Sequence, residues 1–319
     1  MTMRGGWWMR GARAATLLLT VAAGCREQPL HPLFRTEGGI PRPLLFAHRG
    51  GGGLLPEATV PAFQETHRRD PAAVLEFDVQ RTVDGHLVVI HDFTLDRTTN
   101  GQGPVAAATL AQIQALDAGY CSTPGQGNGT AESGACGAPP QDATRFPFRG
   151  QGYRIPTLDE VLAALPPTAF VGIEVKGAGF EKEFARRMRA SGRLDRLVVG
   201  SEDDDIAVRL KDALPEVAHY LPKGAATCVA LSAKLGLDYP GCPEYDLFAS
   251  PLRGAGLALD TAGILSAVHS RGAVVVYWTI NEEPEMERLL RLGADGFFTD
   301  FPDRGRRVID RLQAEGALP

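Results

Sequence analysis

Nine short runs of apolar, largely β-branched or aromatic residues recur along the chain: 44–47 (LLFA), 74–79 (VLEFDV), 87–90 (LVVI), 170–175 (FVGIEV), 197–200 (LVVG), 217–221 (VAHYL), 246–249 (DLFA), 274–278 (VVVYW) and 296–299 (GFFT). Segments with apolar residues at helical spacing lie between most of them, at 60–69, 158–165 (after the N-cap candidate Thr157), 181–190, 206–213, 261–270 and 284–292. Near-continuous apolar strands alternating with amphipathic helices predict a parallel sheet covered by helices. A chain of 319 residues is long enough to enclose one large core of this kind.

A closed eight-stranded barrel leaves one run over. Asp84-Gly85, between the runs at 74–79 and 87–90, is a strong two-residue hairpin signal. Such a turn sets Asp78 opposite His91, and Glu76 falls on the same face as Asp78. The other eight runs fit a (β/α)8 barrel of the TIM type, with the hairpin rising from it. An open doubly wound sheet is the alternative, but the chain has no G-x-G-x-x-G or P-loop to support one.

The first 24 residues read as a signal peptide: Arg4, Arg10 and Arg13, then the short apolar stretch 14–23, then small residues. The sequence Val21-Ala22-Ala23-Gly24-Cys25 resembles a bacterial lipobox, which would make Cys25 a lipidated first residue and 25–43 a tether. The expectation is an exported protein, either a periplasmic or cell-envelope lipoprotein or a secreted one. It would meet a membrane only through that anchor. Export makes disulfides the natural use of the other cysteines. Of the three possible pairings, the local ones, Cys121–Cys136 and Cys228–Cys242, close loops rich in Gly and Pro. The chain carries 33 Lys and Arg against 38 Asp and Glu. That balance has no basic excess to neutralise a nucleic-acid backbone.

In a (β/α)8 barrel the C-terminal strand ends build the active site. Those ends carry His48-Arg49-Gly50, Glu76 and Asp78, Glu174 and Lys176, Trp278 with Asn281, and Thr299-Asp300. Three carboxylates around one mouth repel unless a cation sits among them. Oxygen-only donors suit one divalent cation, Ca²⁺ or Mg²⁺. Arg49 and Lys176 supply fixed positive charge for a phosphate. His48 and His91 are candidate proton-transfer groups. The set describes phosphoester cleavage better than acyl or glycosyl transfer.

With those residues placed, the chain resembles the glycerophosphodiester phosphodiesterases, within the phosphoinositide phospholipase C-like group of barrels. The resemblance rests on AHRGGGGLLPEATVPAF (47–63), LEFDVQRTVDGHLVVIHDFTLDRTTNG (75–101), IPTLDEVL (155–162), IEVK (173–176), WTIN (278–281) and GADGFFTDFPD (293–303). It implies that His48 and His91 act as base and acid and that Glu76, Asp78 and Glu174 bind the metal. Arg49 and Lys176 would contact phosphate, with Trp278 and Glu57 also on the substrate side. It implies a barrel domain over 44–319 with a small insertion at about 92–168, here carrying one cysteine pair. The family usually has Asn where this chain has Ala58, and the Gly50–Gly53 run is unusually long. The expected reaction is hydrolysis of a small-molecule glycerophosphodiester to glycerol 3-phosphate and an alcohol. The rivals are a phospholipase D-like activity on lysolipids or sphingolipids, and an exported lipoprotein that binds phosphodiesters without cleaving them.

Overall fold

The computed structural model describes residues 29–123, 125, 146–236 and 242–318. Among these, the strands are β1 (Leu44–Ala47), β2 (Val74–Arg81), β3 (Leu87–Val89), β4 (Val171–Val175), β5 (Leu197–Gly200), β6 (Ala218–His219), β7 (Leu247–Ser250), β8 (Arg253–Gly254), β9 (Leu257–Ala258), β10 (Val274–Tyr277) and β11 (Gly296–Thr299). Eight of them run parallel in the spatial order β6-β5-β4-β2-β1-β11-β10-β7. The series closes where Tyr220 lies beside Leu247 and the Leu221 N–H donates to the Leu247 carbonyl at 2.8 Å. This is the expected barrel, nearly closed, with a thin seam because β6 has only two residues. β8 and β9 form a small antiparallel ribbon after β7.

The helices are α1 (Val60–Arg69), α2 (Leu110–Gln114), α3 (Leu158–Ala164), α4 (Glu181–Ser191), α5 (Asp204–Ala213), α6 (Lys223–Leu235), α7 (Ala262–His269), α8 (Glu283–Leu292) and α9 (Pro302–Ala314). The six expected helices are all present. α6, α9 and the short α2 add to them. α3 shows how local sequence sets a boundary. Thr157 Oγ1 accepts from the Glu160 N–H at 3.1 Å, and Glu160 Oε2 accepts from the Thr157 N–H at 2.7 Å. This reciprocal cap, two residues after the buried Ile155, starts the helix at Leu158.

Strand alternation sorts the core into layers. Leu75, Phe77, Val79, Val171, Ile173 and Val175 face outward onto the helices. Phe46, Val74, Val198, Tyr220, Val276 and Phe298 fill the barrel. The Phe46 and Phe298 rings stack at 4.4 Å. Burying each such ring contributes roughly 1.5–3 kcal/mol. Gly172 is a glycine for a reason: a Cβ there would stand 2.4 Å from the Tyr220 hydroxyl. Because Val74 points inward, so do Glu76 and Asp78, two and four residues further on.

Leu33, Phe34 and Ile40 are buried in the same interior cluster, beside the N-terminal strand ends. Arg42 secures this segment through the Phe34 carbonyl at 2.8 Å and an ion pair with Asp295. The described part of the 25–43 stretch is therefore a packed plug and not a free linker. Residues 1–24, Cys25 and Cys136 lie outside the described residues, and with them the expected signal segment, lipidation site and Cys121–Cys136 pairing. Cys228–Cys242 forms as expected, with Cα atoms 5.7 Å apart, tying α6 to the segment before β7. No helix among the described residues is long and apolar enough to cross a membrane.

The hairpin forms with a different register. Val79 pairs with Val89, Gln80 with Val88 and Arg81 with Leu87. Asp78 thus faces Ile90, whose N–H donates to the Asp78 carbonyl at 3.1 Å, and His91 is not its cross-strand partner. The turn holds three residues instead of two. Thr82 causes this: its hydroxyl donates to Asp84 at 2.6 Å and accepts from the His86 N–H at 2.9 Å, spanning the wider turn. Gly85 takes the left-handed position with φ 87°. Beyond β3 the insertion builds a small core of its own from Ile90, Leu95, Val105, Ile113 and Ile155.

Candidate active site

The site lies at the C-terminal strand ends. His48 and Arg49 occupy a tight turn directly after β1. Arg49 sits at φ 52° and Ala58 at φ 57°, and the Ala58 N–H donates to the Arg49 carbonyl at 2.9 Å. A left-handed conformation costs an L-residue about 1–2 kcal/mol and is eased in Asn. Ala58 has no side-chain amide to ease it, so this chain carries the strain without that relief. The turn sends the His48 ring to Asp300 after β11 and the Arg49 guanidinium to Glu57, and it leaves the Arg49 backbone facing β2. The Arg49 N–H donates to Glu76 at 2.9 Å.

Glu76 and Asp78 from β2 meet Glu174 of β4 and Lys176 just after it, because Asp78 and Glu174 are register partners. Lys176 Nζ stands 3.2 Å from Asp78 and 3.7 Å from Glu174. Neither Asp78 oxygen has a well-aligned hydrogen-bond donor, although both are buried. Burial raises Glu76 well above the usual carboxylate range, and the Asp78 charge adds to it. Burial and then Asp78 push Glu174 up to about 8. Burial acts the same way on Asp78, but Lys176, His91 and Arg49 outweigh it and hold Asp78 below its ordinary value. The raised values of Glu76 and Glu174 show the cost of ionising all three carboxylates together, which would exceed what Lys176 neutralises. As they stand, no three His, Cys, Asp or Glu groups among the described residues converge on one metal-binding point. The chemistry of the donor set, with its orphaned Asp78 oxygens, fits a hard cation.

The two imidazoles are each anchored by a carboxylate. His48 Nδ1 lies 2.7 Å from Asp300, and Asn281 donates to the other Asp300 oxygen at 2.8 Å. Asn281 also accepts from the Asp300 N–H at 2.9 Å, so the motif residue of the β10 end orients the β11 end. His91 Nδ1 lies 2.6 Å from Asp92. In the sequence His91 directly follows Ile90, the residue opposite Asp78 across the hairpin. Trp278, half-exposed, follows β10.

Glu57 is buried behind Arg49. It accepts from Arg49 Nη1 at 3.2 Å and from Arg97 at 2.7 and 2.9 Å. Burial opposes its charge, but Arg49 and Arg97 lower it to about 2. It supports Arg49 from the side away from solvent. Arg49 Nε is buried without a partner, an unused donor of the kind an anionic oxygen would take. Arg97 and Asp92 were not singled out by the sequence. Their signal was spacing alone: His91-Asp92 followed five residues later by an arginine. A separate groove of about 810 Å³ lies outside the barrel beside α4 and α5, and there Arg209 pairs with Glu181 at 2.7 Å.

Comparison with known proteins agrees with this geometry. Residues 48–304 match the glycerophosphoryl diester phosphodiesterase family. A glycerophosphodiester phosphodiesterase of Bacillus subtilis is 33% identical over 275 residues, covering 84% of this chain and 86% of its own. One from Caldanaerobacter subterraneus is 30% identical over 272 residues, covering 82% and 95%. An Oleispira antarctica phosphodiesterase, solved in complex with the product sn-glycerol-3-phosphate, superposes with a TM-score of 0.61 at 22% identity, covering 84% of this chain and 97% of that one. The chain belongs to the glycerophosphoryl diester phosphodiesterase family.

Proposed function

We propose that the protein hydrolyses glycerophosphodiesters to glycerol 3-phosphate and an alcohol. The observation that carries this reading is the placement of two carboxylate-anchored imidazoles, His48 and His91, around one acidic, Lys176-containing strand-end cluster. Asp300 at Nδ1 of His48 favours the tautomer whose Nε2 lone pair can take a proton. His48 therefore acts as the base toward the attacking oxygen: either water, which gives glycerol 3-phosphate directly, or a glycerol hydroxyl, which gives a cyclic phosphate that a water then opens to glycerol 3-phosphate. His91, anchored in the same way by Asp92, returns a proton to the departing alcohol. Arg49 and Lys176 bind the phosphoryl oxygens and balance charge as it develops there. Trp278 lines the substrate side. Glu76, Asp78 and Glu174 would hold one divalent cation, Ca²⁺ or Mg²⁺. When bound, it supplies Lewis-acid polarisation of the phosphoryl group.

Phosphorus NMR of glycerophosphocholine incubated with the purified protein tests the reading. Glycerol 3-phosphate should accumulate with wild type and not with His48→Ala. Phosphocholine as the product would instead place the cleavage on the other ester bond. A bound but uncleaved substrate would favour the binding-lipoprotein alternative. We also propose export, with lipidation of Cys25. Mass spectrometry of the mature N-terminus from a membrane fraction tests that separately.

A further inference from the structure

Arg97 spans two parts of the site that the fold brings together from distant sequence. Its Nε donates to Asp92 at 2.7 Å and its Nη2 to the other Asp92 oxygen at 3.0 Å. Its Nη1 and Nη2 also donate to the two Glu57 oxygens at 2.9 and 2.7 Å. Asp92 in turn holds His91 Nδ1, and Glu57 in turn holds Arg49. One guanidinium therefore joins the His91 side of the pocket to the Arg49 side, with its plane fixed by two carboxylates. Its side chain is only 15% exposed, so water competes little for these bonds. A fork that binds two carboxylates at once is a property of arginine that lysine cannot copy.

We propose that Arg97 is a positioning residue for the leaving-group proton: it locks Asp92, and through it the His91 ring, in register with the phosphate-binding Arg49. This rests on the reading of His91 as the acid given above. Asp92 lies on the loop that follows β3, next to Phe93, which is 64% exposed. Among the described residues, Arg97 and His91 are the groups that hold the Asp92 side chain. Without Arg97, the carboxylate and ring would sample several rotamers, and only a fraction would present the proton to the departing oxygen. Arg97 reaches the phosphate-binding side only through Glu57, and Arg49 keeps its own bond to Glu57, so phosphate binding should suffer less than proton delivery.

The test compares a glycerophosphodiester of choline, whose departure needs a proton, with one of nitrophenol, which leaves without one. Arg97→Ala and Arg97→Lys should each lose on the order of 10–100-fold in kcat on the choline ester, with KM changed less than about threefold and little loss on the nitrophenyl ester. In a His91→Ala background, adding Arg97→Lys should cost almost nothing further on the choline ester, since the proton it positions is gone. Thermal melting identifies variants that fail to fold, and Arg97→Lys serves where Arg97→Ala does not fold. Equal losses on both esters, or a full additional loss in the His91→Ala background, would overturn the proposal while leaving His91 as the acid. If His91→Ala itself slows both esters equally, the acid assignment fails and this inference fails with it.

Discussion

His48 Nδ1 stands 2.7 Å from Asp300 Oδ1, and Asp300 has no exposed surface. The pair joins the ends of β1 and β11, two neighbouring strands whose residues are more than 250 positions apart in the chain. Asn281 pins the carboxylate from a third strand end. The ring orientation is thus set by barrel geometry and not by the loop that carries His48. Asp300→Asn presents an amide where an acceptor is needed and turns the ring toward the wrong tautomer. Its kcat should fall on the order of 10²–10⁴-fold with an unchanged fold, and a steady-state assay beside a melting curve checks this. Wild-type turnover in Asp300→Asn would show that the pairing does not serve catalysis.

Turnover should stop in chelator and return with added Ca²⁺ or Mg²⁺. The reason is that Glu76, Asp78 and Glu174 can be ionised together only with a cation among them, since Lys176 alone cannot offset three charges. Glu76→Ala should weaken cation binding in isothermal titration while the protein stays folded. Undiminished activity in excess chelator would contradict the donor assignment.

Glu57 gives the fold a specific acid sensitivity. Its folded pKa of about 2 lies below the ordinary carboxylate value of 4.5. The stability it contributes is therefore fully present above pH about 4.5 and is lost as pH falls toward about 2. The shift corresponds to roughly 3 kcal/mol. Urea unfolding should show Glu57→Gln well below wild type near neutrality, with the gap narrowing as pH falls through this window. A gap independent of pH would remove Glu57 as the source.

Phe34 tests whether the N-terminal segment is part of the fold. It is completely buried in the barrel interior, so Phe34→Ala should cost about 3–5 kcal/mol in chemical denaturation. A free tether would show no cost.

Much of this was legible because strand period and helix period are different signals. The eight barrel strands, the six periodic helices and the strand-end residues His48, Glu76, Asp78, Glu174 and Lys176 all follow from them. The hairpin register did not, because Asp84-Gly85 reads as a two-residue turn until the Thr82 hydroxyl is seen bridging to Asp84 and His86. The plug was hidden because Leu33, Phe34 and Ile40 sit among Pro, Arg and Gly with no period to reveal them. Arg97 was hidden for a third reason: a guanidinium in a turn-like stretch shows its role only when two distant carboxylates are found beside it.

The central claim is that His48 and His91 divide the proton transfers of phosphodiester hydrolysis. It is tested most directly by measuring kcat of His48→Ala and His91→Ala on the choline and nitrophenyl esters. His91→Ala should lose on the order of 10²–10⁴-fold on the choline ester and keep most of its activity on the nitrophenyl ester. His48→Ala should be crippled on both, since the attacking oxygen must be deprotonated in either case. Equal losses for both variants on both esters would contradict the account.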